Sequence, residues 1–385
     1  MRRPSRRVLL LALLGAVLLA ALVAVPPCLA GLGLVARAAG LNAGVGGAVA
    51  RWNTQTLVES ELPVPTRHGA VRARLFRPEH PRGRTVLLVP GVHADGIDEP
   101  RLVKLARDLA VGGLTVLTLE LPDLLRYQLT PREPDMLEDA ALWASARPEL
   151  APDGRVGLMG ISFSGGLSLV AAGRPALASR LAFTFALGGH GELSRVLTFL
   201  CTGIQSDGRP RRPHDYGVVI LLLNVAGQLV PPEQVEPLRA GILTFLRASH
   251  LAMHDARRAA ETFAQARALE ASLPEPAASL LRHVNDRDVT ALGPRLLPLV
   301  RAFAGDASLS PERSPAPTAP VYLLHGTEDT VVPALESQRL ARALAPHVPV
   351  HLLLTPLVTH AEMDRPADLV EVARLVAFWA ALLEA

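Results

Sequence analysis

Lysine is almost missing from this 385-residue sequence: Lys104 stands alone, and arginine supplies the rest of the positive charge. The net charge is only +3 and aromatics make up 4% of residues, with no basic stripe interleaved with aromatic side chains. That combination argues against nucleic acid as a partner. Cysteine is nearly absent too. Cys28 and Cys201 cannot build a disulfide framework or a metal cluster, and Cys28 lies in the hydrophobic leader. Val25-Pro26-Pro27 precede Cys28 where a lipidation signal would carry small residues, so it reads as inert. No run of His, Cys and carboxylates has metal-ligand spacing, and there is neither a P-loop nor a dinucleotide fingerprint. No metal and no cofactor are therefore expected. Internal repeats are absent as well.

What is present is apolar. Hydrophobic residues make up 49% of the chain and charged ones 19%, enough for a large packed core. The length suits one large domain with a sizeable insertion, or two domains. Arg2, Arg3, Arg6 and Arg7 precede an unbroken apolar run from Val8 to Val25. This run approaches the length that spans a bilayer, and an uncleaved anchor explains it better than a cleaved signal. Ala36-Arg37-Ala38 is the candidate cleavage site of the second reading, and Ser5-Arg6-Arg7 resembles a twin-arginine export signal. Under either reading the arginines stay cytoplasmic and the body of the protein is exported, into the periplasm if the cell is bacterial. The other strongly apolar run, Val218 to Val230, is too short to span and reads as a buried helix, or less directly as the lining of an acyl pocket.

From Glu61 the pattern alternates between strands and helices. Strands are expected at Ala70–Phe76, Thr85–Val89, Leu114–Leu119, Val156–Met159 and Arg180–Leu187, with helices at Pro100–Val111, Pro134–Ala146 and Ser164–Ala172. Between about Gly191 and Ser310 the alternation stops, and Leu, Ala and Arg recur at helical spacing, as in His250 to Leu273. After the proline-rich Ser314–Pro320 it resumes with strands Val321–Leu324 and Val350–Leu354, helix Ala334–Leu344 and a last helix from Asp364. The fold class is α/β, a mostly parallel sheet with helices on both faces and an inserted helical cap. The division is a leader and linker at 1–50, core at 51–190, cap at 191–313 and core again at 314–385.

The chemistry concentrates at Gly160-Ile161-Ser162-Phe163-Ser164-Gly165-Gly166, directly after a strand and opening a helix. A nucleophile on so tight a turn needs small residues two positions to either side. Gly160 meets that need, and Ser164 stands where a second glycine would be expected, which leaves Ser164 as a rival nucleophile. His325-Gly326-Thr327-Glu328-Asp329 follows a strand end, so Asp329 can orient an imidazole and stabilise its cation. His360, beyond the last strand, is placed to take the proton of Ser162 and return it to a leaving group. Weaker candidates sit at neighbouring strand ends: His93 and Asp95 in the loop after Pro90-Gly91, His190 after Gly188-Gly189, and Asp123 as an alternative acid.

With these residues the chain resembles the α/β-hydrolases, and most the bacterial dienelactone-hydrolase and esterase-like members. The resemblance covers Pro65 to Leu187 and Pro320 to the end, and leaves the insertion uncovered. It implies a Ser162-His360-Asp329 triad and an oxyanion hole from the backbone N–H groups of Val92 and Phe163, with Gly91, His93 and His190 beside the substrate. It implies an esterase-type serine hydrolase acting through an acyl-enzyme on a small-molecule acyl substrate, expected to be a carboxylic ester with a hydrophobic acyl or alcohol group. Acyl transfer or thioester hydrolysis on the same triad, and a catalytically silent, membrane-anchored binding or scaffold protein, are the alternatives.

Overall fold

A computed structural model describes residues 25–82, 84–359 and 368–385, so nearly all of the leader lies outside the described part. Among the described residues no helix is long and apolar enough to cross a membrane. Eight strands form one sheet: β1 (Leu57–Val64), β2 (Val71–Pro78), β3 (Thr85–Val89), β4 (Thr115–Leu119), β5 (Val156–Ile161), β6 (Leu181–Leu187), β7 (Val321–Gly326) and β8 (Val350–Thr355). Their order is β1-β2-β4-β3-β5-β6-β7-β8. β1 and β2 are antiparallel to each other, β2 is antiparallel to β4, and the remaining pairings are parallel. This is the α/β-hydrolase fold.

The central strands are continuous apolar runs because both of their faces are covered. All five residues of β3 and of β4 are buried. Alternate residues of β3 divide between two cores. Val86 and Leu88 pack with α3 (Pro100–Val111) and α14 (Leu369–Glu384), whereas Leu87 and Val89 pack with α5 (Arg132–Ser145) and α6 (Phe163–Ala172).

β1 lies outside the alternation read from the sequence. It is an edge strand with mostly exposed residues, so it carries no apolar period. It pairs with β2 along its whole length, Val64 at its end is buried in the core, and charge adds to these: Glu61 pairs with Arg72 and Arg74 of β2, and Glu59 with Arg107 of α3. Residues 25–50, which the sequence groups with the leader and linker, also pack on the core. Helix α1 is described from residue 25 to 38, and α2 (Gly44–Arg51) follows it. Leu34 and Val35 join the core of α3 and α14, and Arg37 donates to the carbonyls of Ala50 and Asp108.

Between β6 and β7 the chain forms six helices: α7 (Leu193–Thr202), α8 (Asp215–Val225), α9 (Pro232–Leu251), α10 (Ala256–Ser272), α11 (Ala277–Asn285) and α12 (Val289–Phe303). The stretch from His250 to Leu273, read from its spacing as helical, is divided between α9 and α10 at Ala252–Asp255. Asp255 caps α10 by accepting from the Arg258 N–H. The apolar run at Val218–Val230 is helical as far as Val225 and then turns, its side chains buried against α7, α12 and the core. Arg195 of α7 ties this helical layer to the core through Glu312, just before β7, and the buried Glu336 of the helix after it.

Candidate active site

β5 ends at Ile161 and α6 begins at Phe163, leaving Ser162 alone in the turn with φ 59° and ψ −134°. An L-residue pays roughly 1–3 kcal/mol for such a backbone, which persists only where the surroundings enforce it. Two features enforce it here. A Cβ on Gly160 would sit 2.6 Å from the Gly165 nitrogen, so only glycine lets the chain cross itself there. The Ser162 N–H also donates to Leu187 O at 2.7 Å, fastening the turn to β6.

Ser164, where the sequence departs from a second glycine, points inward and is fully buried. Its hydroxyl accepts from the Ile161 N–H at 2.9 Å and lies 2.7 Å from Ile161 O and 3.1 Å from Val89 O. The serine therefore holds the two arms of the turn together and links them to β3.

The loop after β3 passes beside this turn. A Cβ on Gly91 would be 3.4 Å from the Ser162 Cβ, which brings the Gly91–Val92 segment against the serine. Phe163, the other residue expected at an oxyanion hole, follows Ser162 at the start of α6. Asp329 lies buried in the loop after β7, where one carboxylate oxygen accepts from the Val331 and Val332 N–H groups at 2.8 and 3.0 Å. His325, buried beside it, has its Nε2 3.4 Å from the other oxygen. That ring is held by Ser337 Oγ and Val332 O, so it supports the loop from within.

His360 lies outside the described residues. The segment leading to it is described as far as Thr359 and packs against the Asp329 loop: Thr327 N–H donates to Thr355 O, and a Cβ on Gly326 would be 2.8 Å from Thr359 O.

The weaker candidates separate. His190 is fully buried beneath α6, its Nε2 2.7 Å from Leu309 O and its ring beside Phe163, and burial lowers its pKa. Asp123 is buried with Arg126 and Thr130; burial alone would raise its pKa, but those bonds and the nearby Arg132 hold it low. His93 turns towards the cap, with Nε2 2.8 Å from His250 Nδ1 at the end of α9. Burial first, and then the neighbouring His250, push its pKa down to about 4. Asp95 completes the group, its carboxylate 3.0 Å from His250 Nε2.

The sequence offered no ligand run and so no metal was expected. The fold nevertheless assembles three groups that could hold a cation, from segments distant in the chain. Tyr216 of α8 is another residue the sequence did not mark. Its hydroxyl donates to Val92 O at 2.7 Å, tying the cap to the loop beside Ser162. Between them lies an apolar cavity lined by Val92, Tyr127 and Phe163 from the core and by Leu197, Leu200 and Ile220 from the cap.

No protein-family model matches the chain, and no curated protein matches it. Solved structures do resemble it. The Pyrobaculum calidifontis esterase is 16% identical over 94% of this chain and 93% of its own, with a TM-score of 0.48. A dienelactone hydrolase from Anabaena variabilis is 16% identical over 85% of this chain and 98% of its own, with a TM-score of 0.43. The Pyrococcus horikoshii acylaminoacyl peptidase is 11% identical over 83% of this chain at a TM-score of 0.44, and the chain spans 40% of that protein's length.

Proposed function

We propose that this chain is a serine hydrolase that cleaves a carboxylic ester with an apolar acyl or alcohol group. The observation that carries the reading is the backbone of Ser162, held at φ 59° and ψ −134° between a parallel strand and a helix. A serine held so stands at the C-terminal end of its strand, ahead of the helix it opens. Ser162 Oγ attacks the acyl carbon, and its proton passes to His360. The carbonyl electrons collect on the oxygen, facing the N–H groups of Val92 and Phe163. Collapse expels the alkoxide, which takes the proton from His360, and water then releases the acid from the acyl-enzyme by the same steps. Asp329 holds the imidazole in register; its buried carboxylate, fixed by two N–H groups, suits that role.

The apolar cavity between Phe163 and the cap supports an apolar substrate. Gly91 contributes by its close approach to Ser162. His93, next to Val92 in the same loop, would lie beside the substrate, and His190 would act only by supporting Phe163. The arginine-flanked leader would tether the domain to a membrane or carry it across, which cell fractionation would read.

Labelling of the full-length protein with a fluorophosphonate tests the reading without the true substrate. Labelling is expected in the wild type and in Ser164→Ala, and its loss in Ser162→Ala. An unlabelled but folded wild type would remove hydrolysis, and loss in Ser164→Ala alone would move the nucleophile.

A further inference from the structure

Outside the Ser162 turn, one cluster joins the cap to the core through side chains alone. His93 and Asp95 come from the loop after β3, and His250 from the last turn of α9. The hydrogen bonds have one consistent direction. Asp95 N–H donates to His93 Nδ1 at 3.1 Å, which leaves the His93 proton on Nε2. That proton faces His250 Nδ1 at 2.8 Å, so the His250 proton is on Nε2, 3.0 Å from the Asp95 carboxylate. Both imidazoles are thus neutral, the state in which they ligate metal.

We propose that His93, Asp95 and His250 bind a zinc ion that staples the cap to the loop beside Ser162. One donor atom from each residue lies within 4.8 Å of the others. Zinc bonds of ~2.0 Å in tetrahedral geometry separate ligands by roughly 3.3 Å, so rotations of the rings and the carboxylate bring the set into range. Two imidazoles and one carboxylate are a donor set that zinc accepts, with a fourth position left for water. The two histidine side chains are mostly covered, whereas the Asp95 side chain is 46% exposed and opens a path for the ion. On binding, His93 Nδ1 turns its lone pair from the Asp95 N–H and His250 Nδ1 turns its own from the His93 Nε2–H to the metal, both rings keep their protons on Nε2, and the cluster changes from a hydrogen-bonded chain to a coordinated one.

Zinc content of the full-length protein tests this, measured by elemental analysis after exposure to zinc and gel filtration, with a purification tag free of histidine. One equivalent per chain is expected in the wild type and in His254→Ala, which removes the nearby surface ring. At least a tenfold lower content is expected in His93→Asn and His250→Asn, with folding checked by circular dichroism. Cobalt substitution provides a readout that needs no variant: the visible absorption of four-coordinate Co2+ should appear in the wild type. No stoichiometric zinc and no such absorption, or equal zinc in the wild type and both asparagine variants, would overturn the proposal. Metal content is read independently of labelling at Ser162, so failure here leaves the hydrolase reading standing.

Discussion

The Ser164 hydroxyl touches two backbone groups of the turn that presents Ser162 and one of β3, and no smaller residue could do so. Replacing it by alanine leaves buried polar groups short of a partner, at a cost of about 1–3 kcal/mol. Ser164→Ala should therefore unfold at lower denaturant concentration than the wild type while keeping its fluorophosphonate label; an unchanged midpoint would show that the hydroxyl holds nothing. Glu133 carries a second prediction at this scale. It is fully buried, one oxygen accepts from the Thr130 N–H at 2.7 Å, and the other has no partner. Burial pushes its carboxyl up to about 7. Between the ordinary glutamate value and 7 the folded protein binds more protons than the unfolded one, so stability falls as pH rises through that window. Glu133→Gln removes the ionisation and should melt higher than the wild type at pH 8, with the advantage gone by pH 4. A constant difference across that range would show that Glu133 is not the group responsible.

Among the elements, α8 links packing to the site. Its apolar residues are buried in the core shared with α7 and α12, and Tyr216 at its start reaches Val92 O. Tyr216→Phe keeps the ring and removes the bond, about 0.5–1.5 kcal/mol for a neutral hydrogen bond. If the Val92 loop stabilises an oxyanion, kcat/KM on a p-nitrophenyl ester should fall roughly three- to tenfold with the melting temperature little changed. A rate equal to the wild type would detach α8 from catalysis. The elements also show where periodicity stops being informative. The buried strands β3, β4 and β6 are legible as apolar runs because they are covered on both faces, whereas β1 is not, since most of its residues are exposed and only Val64 at its end is fully buried. The α9–α10 break was hidden because alanine and arginine suit a helix on either side of it, and only the Asp255 cap interrupts them.

For the whole molecule, the first described helix belongs to the body. Leu34 and Val35 are buried with α3 and α14, each side chain worth roughly 1.5–3 kcal/mol of burial. A protein beginning after residue 51 should be less stable than one beginning after residue 24 by at least ~3 kcal/mol, read by urea unfolding. Equal stabilities would show that α1 and α2 contribute nothing to the body. By itself the sequence determined the α/β class, because buried parallel strands and amphipathic helices each impose their own period on the residues. It also marked the glycine–serine turn, because a chain crossing itself tolerates few side chains. The tertiary structure alone decided that Ser164 turns inward, that Tyr216 reaches Val92, and that His250 meets His93 from 157 residues away. Such contacts form where packed elements converge, and no local period in the chain records which distant side chains will meet.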